Sequence, residues 1–215
     1  GDLSQYAVFA LLPSYLERKN SSLVYMVERI RMKANRQMGG FFLHELESLQ
    51  KQLTEAHNAG LKIMLFGVTF ALLEMAEKFP VSIPGAIIFE TGGMKGRSKE
   101  LTRMELHEKL CSSFGVAKIH SEYGMTELLS QAWSKGDGIF RCPPWMRVLI
   151  ADINDPLSYV ETGRTGGINI IDLANFHSCS FLATQDLGRV FEDGSFEVLG
   201  RFDNSDMRGC SLLAP

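Results

Sequence analysis

The sequence predicts an α/β protein: a parallel βαβ subdomain, then a small antiparallel, barrel-like β subdomain, ending in a short C-terminal tail. Two patterns carry that expectation. Up to about His120, apolar strand-like runs alternate with amphipathic stretches, the signature of parallel βαβ units. From about Arg141, short β runs follow one another between turns, and no helical periodicity survives. The domain boundaries read from these patterns are 1–140, 141–199 and 200–215.

The elements follow in order. "YAVFALLP" is an apolar strand closed by Pro13, and "SSLVYMVERIRMKANRQM" an amphipathic helix with Ser21 or Ser22 as N-cap. "LHELESLQKQLTEAHNAG" sets Leu43, Leu46, Leu49 and Leu53 on one helix face and stops at Gly60. Strand "LKIMLFG", helix "FALLEMAEKF" and strand "GAIIFE" come next. The glycine loop "TGGMKGR", helix "SKELTRMELHEKLCSSFG" and strand "AKIHSEYG" complete the first regime. In the second, "WMRVLIADIND", "GGINIIDLA", "SCSFLATQDLGRV" and "GSFEVLG" read as strands. Asn154-Asp155-Pro156, Gly166-Gly167 and Asp193-Gly194 read as the turns between them.

Composition excludes several classes. With 45% hydrophobic and 22% charged residues the 215-residue chain has the balance of a globular protein. A net charge of −3 gives no electrostatic case for nucleic acid or an anionic membrane. No apolar run approaches the roughly 20 residues of a membrane-spanning helix. Cys111, Cys142, Cys179 and Cys210 are dispersed, without a CxxC or a Cys/His cluster, so the expectation is a reduced cytoplasmic protein. The chain opens Gly1-Asp2 without a methionine, and the expectation is a piece of a longer protein. Self-association is left open.

Ligands of parallel α/β sheets gather beyond the C-terminal strand ends. Two loops fall there: Thr91 to Arg97, and Glu122 to Glu127. Gly92, Gly93 and Gly124 permit close backbone approach. Tyr123 offers an aromatic face to a base, a contact worth about 1–3 kcal/mol. The Thr126 hydroxyl at a helix N-terminus would suit a phosphate, and Glu127 would give a hard oxygen to Mg²⁺. The same string also serves as a plain turn, with Thr126 capping a helix and Glu127 facing its dipole. No GxxxxGK[ST], GxGxxG or GxSxG occurs, so the common phosphate-loop and nucleophile-elbow chemistries have no support. His44, His57 and His107 fall on helices as surface or packed residues, and His120 reads as structural.

Three strings in order resemble the adenylate-forming superfamily of acyl-CoA synthetases, peptide-synthetase adenylation domains and luciferases. They are "YGMTE" (Tyr123–Glu127), "TQDLGRV" (Thr184–Val190) and "GRFDNSDMRG" (Gly200–Gly209). The resemblance spans nearly the whole chain and implies the C-terminal part only of such a protein. It places Tyr123 and Gly124 at adenine, Thr126 at the α-phosphate, Glu127 on Mg²⁺, and Asp186 and Arg201 at the ribose. It lays the Gly92-Gly93 loop along the adenine or acyl pocket. The implied chemistry is ATP-dependent activation of a carboxylic acid, then transfer of the acyl group to a thiol, with Asp203 at the hinge between the half-reactions.

The chain departs from the pattern in several places. No Ser/Thr/Gly-rich phosphate loop precedes these motifs, and Gln185 stands where Gly is usual. Met207-Arg208 replaces an Ile-Lys pair, displaced by about one residue, and the expectation is a chain without the mobile C-terminal domain and its lysine. The expectation is a chain that does not adenylate efficiently alone. "GGMK" and "RGCSLL" are most similar to acyl-protein synthetases of the LuxE type. That branch activates a fatty acid, carries it on a cysteine matched by Cys210 and passes it to a reductase partner. A thiol near Arg208 would have a lowered pKa, whereas Cys210 serves equally as a small residue at the chain end. Two alternatives stay open: a phenylacetate–CoA ligase-like fragment with CoA as acceptor, and a shortened, non-catalytic nucleotide-binding or interaction domain.

Overall fold

The computed structural model describes residues 2–13, 21–35, 37–92 and 101–202. The chain divides into two compact units between His120 and Ser121.

The first unit carries a parallel sheet. Its strands are β1 (Tyr6–Leu11), β2 (Gly39–Phe42), β3 (Lys62–Val68) and β4 (Ile87–Thr91). β1 pairs with both β2 and β3, and β3 with β4, all parallel, in the order β2-β1-β3-β4. Ala7 to Leu12 are buried at every position, as strands covered on both faces require, which is why β1 reads as an unbroken apolar run. The crossovers are α1 (Ser22–Arg31), α2 (Leu46–Asn58) and α3 (Thr69–Lys78); α4 (Arg103–Phe114) follows β4. Ser21 caps α1 by accepting the Val24 amide at 3.3 Å. Leu46, Leu49, Leu53 and Ala56 form the buried stripe of α2. Leu43 lies outside that helix, because the Glu45 carboxylate accepts the Leu43 and His44 amides and holds them in a turn. Thr102 and Glu105 close a reciprocal capping box on α4, and Gly115 ends it with a φ of 65°.

β2 is not among the strands read from the sequence. Gly39 is there for contact: its φ is 103°, and a Cβ would sit 2.2 Å from the Val8 carbonyl oxygen.

The second unit is antiparallel. β5 (His120–Tyr123) begins at the unit boundary. It is followed by β6 (Ala132–Ser134), β7 (Ile139–Arg141), β8 (Met146–Ala151), β9 (Gly166–Asp172), β10 (Phe181–Val190) and β11 (Phe196–Arg201). Their order is β5-β6-β7-β11-β10-β9-β8. Parallel strands first and antiparallel strands after is the predicted fold class. Tyr123, Leu128, Phe140, Val148, Ile168, Ile170 and Phe196 centre the core.

Two expectations fail here. No helix starts at Thr126: residues 126–127 form a turn, and the chain returns as β6 against β5. The amides that a helix would use are taken by a side chain, since Asp172 accepts from both Leu129 and Ser130 at 3.0 Å. Gly166-Gly167 is not a turn but the start of β9; a Cβ on Gly166 would lie 2.2 Å from the Ala151 carbonyl oxygen. No helix among the described residues is long and apolar enough to cross a membrane. Cys111, Cys142 and Cys179 are free thiols. Burial pushes the Cys142 thiol up to about 11.

Candidate functional site

β5, β10 and β11 bring Tyr123, Asp186 and Arg201 to one place in the second unit. Asp186 and Arg201 face each other across the β10–β11 ladder. Tyr123 closes β5, and its hydroxyl donates to Asp186 Oδ2 at 2.7 Å. Arg201 Nε stands 3.8 Å from Asp186 Oδ1, and Arg201 Nη2 donates to Gln185 Oε1 at 2.5 Å. Thr184 fixes the backbone below: its hydroxyl donates to the Ile168 carbonyl at 2.8 Å and accepts the Asp186 amide at 3.1 Å. Asp186 is 2% exposed and Tyr123 6%.

The Tyr123 ring packs edge-on against Phe196, with centroids 5.4 Å apart, and tilted against Phe140 at 5.9 Å. An apolar wall on the ring and a hydrogen bond on its hydroxyl hold this side chain in one orientation. Thus "YGMTE", "TQDLGRV" and the start of "GRFD", 63 residues apart at their first link, meet in three dimensions.

Thr126 and Glu127 are exposed, on a turn closed by the Leu128 amide to the Met125 carbonyl at 3.1 Å. Gly124 precedes it without a left-handed φ. Two residues that the sequence reading missed hold this turn, Asp172 and Asn175. Asn175 is 4% exposed, and its Nδ2 donates to the Glu127 carbonyl at 2.6 Å. Asp172 is wholly buried. Their one sequence signal is the "DLAN" string after a β run, where Asp and Asn favour local caps.

Gly92 lies in the first unit, at the end of β4, with a φ of 76°. The Thr69 hydroxyl is 2.9 Å from Glu90 Oε2 and 2.9 Å from the Gly92 carbonyl oxygen. His107 Nε2 lies 3.7 Å from Glu90 Oε1, so this histidine is packed rather than exposed. Gly93, Asp203, Arg208 and Cys210 lie outside the described residues. Among the described residues, no three His, Cys, Asp or Glu side chains cluster as a metal site would.

Known structures share this architecture. ATP-bound MatB from Rhodopseudomonas palustris matches with a TM-score of 0.63 at 17% identity, over 93% of this chain and 41% of that one. O-succinylbenzoate coenzyme A synthetase from Bacillus subtilis, in complex with ATP and magnesium ion, matches with a TM-score of 0.62 at 17% identity, over 94% and 43%. The luciferase-like enzyme from the nonluminescent mealworm Zophobas morio matches with a TM-score of 0.60 at 17% identity, over 93% and 49%. The chain shares the fold of these three proteins. It spans less than half the length of each of these three structures. Neither a family model nor a curated protein matches the sequence.

Proposed function

We propose that the chain is part of an ATP-dependent acyl-activating ligase, of the acyl-protein synthetase type. Its substrate is a carboxylic acid, of the fatty class, and its acceptor a thiol. The observation that carries the reading is the Tyr123–Asp186–Arg201 cluster, which joins the three strings that resemble the superfamily. The shared fold supports it.

In this reading Asp186 accepts from the ribose hydroxyls, oriented by Tyr123. Because Asp186 is buried and Arg201 is bonded to Gln185, the ribose reaches the carboxylate when the Arg201 side chain swings aside. Gly124 and Tyr123 border the adenine, and the resemblance assigns the Gly92-Gly93 loop to the adenine or acyl pocket. Thr126 donates to the α-phosphate. Glu127 holds Mg²⁺, which supplies charge neutralisation of the phosphates when bound.

A carboxylate oxygen of the acid attacks the α-phosphorus; the bond to the β-phosphate oxygen breaks, and pyrophosphate leaves. The Cys210 thiolate then attacks the acyl carbon, and AMP leaves with the former carboxylate oxygen. The thiol proton passes to solvent. A reductase partner is the onward acceptor.

The test incubates the full-length natural protein with ATP, Mg²⁺ and radiolabelled fatty acids. Thioester label on the protein, lost in Cys210→Ser, is the expected result. Label that survives Cys210→Ser refutes that cysteine as carrier. Label appearing only on added coenzyme A identifies a CoA ligase, and no acyl-adenylate at all refutes the activity.

A further inference from the structure

Thr126 and Glu127 are exposed, yet the backbone from Glu127 to Ser130 is held by buried side chains of the second unit. Asp172 does most of this. Its Oδ2 accepts the Leu129 and Ser130 amides at 3.0 Å each. Its Oδ1 accepts the Ser130 hydroxyl at 2.7 Å and the Ala174 amide at 3.1 Å. Four neutral donors use the whole acceptor capacity of one carboxylate.

Asn175 holds the turn from the other side, through the Glu127 carbonyl. Its own Oδ1 accepts the Ser178 hydroxyl, which fixes the amide with the donor toward Glu127. Trp145 Nε1 donates to Ser130 Oγ at 2.9 Å, and the Leu173 amide to the Trp145 carbonyl at 2.9 Å. The Leu128 side chain is 5% exposed and anchored in the core.

A hairpin connection between two short strands needs none of this. A buried carboxylate is a costly way to fix a loop, since it must be stripped of water before its bonds are made. Two exposed polar side chains on a rigidly held turn are the arrangement of a binding site on a scaffold, where freezing the groups beforehand raises affinity.

We infer that Asp172 and Asn175 are positioning residues, which preset the Thr126–Glu127 turn for a magnesium–nucleotide phosphate. The inference rests on the ligase reading for its ligand, but the clamp itself is a property of the second unit. Asp172 acts on the amides after the turn, and Asn175 on the carbonyl of Glu127 itself. Asn175→Asp keeps the shape and sets an oxygen against that carbonyl, so the turn is repelled without a cavity. Ser130→Ala removes one hydroxyl from Asp172 and its bond to Trp145. Asp172→Asn is the severe variant, and the two milder ones serve where it fails to fold.

The experiment has two arms, both on the full-length natural protein. Amide hydrogen exchange, read without ligand, follows residues 125–130; about 10-fold faster exchange in Asn175→Asp and Ser130→Ala is expected. Calorimetric titration compares ATP with Mg²⁺ against ATP with EDTA. The wild type binds the magnesium form more tightly, and Asn175→Asp loses about 10-fold on that form and less on ATP in EDTA, which draws on the Thr126 contact but not on Glu127. A purely structural role moves both forms together or neither.

Unchanged exchange in the variants overturns the clamp, whatever the nucleotide does. Faster exchange with an unchanged ratio of the two affinities overturns the positioning role. A full-length wild type that binds neither form overturns the ligase reading and the positioning role with it. The exchange arm then leaves a clamp that is structural only.

Discussion

Tyr123→Phe is the sharpest single change in the second unit. It deletes one oxygen, keeps the ring contacts with Phe140 and Phe196, and removes the 2.7 Å bond to the Asp186 carboxylate. Both groups are buried, so water does not replace the bond in the folded state. A hydrogen bond to a charged acceptor contributes about 1.5–3 kcal/mol. With a urea slope of about 2 kcal/mol/M, the unfolding midpoint should fall by about 1 M. The chain has two tryptophans, Trp133 and Trp145, and both belong to the second unit, so their fluorescence reports its unfolding directly. Pairing the change with Asp186→Asn in a double-mutant cycle should return a coupling of about 1–2 kcal/mol. A midpoint within about 0.2 M of wild type, together with a coupling near zero, would refute a working Tyr123–Asp186 bond.

Three further outcomes test the local reasoning. Thr102→Ala opens the capping box of α4 and should cost about 1 kcal/mol, read by circular dichroism during denaturation. Gly39→Ala should cost about 3 kcal/mol or more, since its Cβ meets the Val8 carbonyl; Gly60→Ala, with a φ of 75° but open space, should cost about 1 kcal/mol. Asp193 is held down at about 2 by the Ser195 hydroxyl and amide and by Arg141. A depressed carboxylate stabilises fully above its unfolded value of about 3.9, and the effect fades as pH falls toward the folded value. The Tm advantage of wild type over Asp193→Asn should therefore be constant above about pH 5 and shrink toward pH 2; an advantage that grows on acidification contradicts the assignment.

The sequence revealed the parts of the fold that obey local rules. Buried strands of a parallel sheet are apolar at every position, so β1 and β3 stood out, and the leucine stripe of α2 with Gly60 behind it was equally plain. What escaped were elements decided by distant partners. Residues 128–131 have the texture of a helix start, but a carboxylate 42 residues away takes the amide of Ser130. Once those amides are occupied, the chain has no helical ladder to build and pairs as β6 instead. Glycine misled at Gly166-Gly167, read as a turn, and gave no sign of a strand at Gly39. At Gly39 and Gly166 its missing side chain lets a neighbouring carbonyl approach, and a sequence does not distinguish that use from a turn.

The site was legible in the same uneven way. Tyr123, Asp186 and Arg201 could be named because their strings resemble a family, and the structure places them in contact. Asp172 and Asn175 carry no such string, and their roles exist only through bonds made across more than 40 residues.

The proposed function requires that the full-length protein activate a carboxylic acid with ATP. Exchange of labelled pyrophosphate into ATP by the full-length natural protein measures that step alone, without any acceptor thiol. The account predicts exchange that requires a fatty acid and Mg²⁺ and falls about 100-fold or more in Glu127→Gln, the scale of losing one electrostatic group at a reacting phosphate. Exchange that proceeds without acid, or that Glu127→Gln leaves intact, would contradict it.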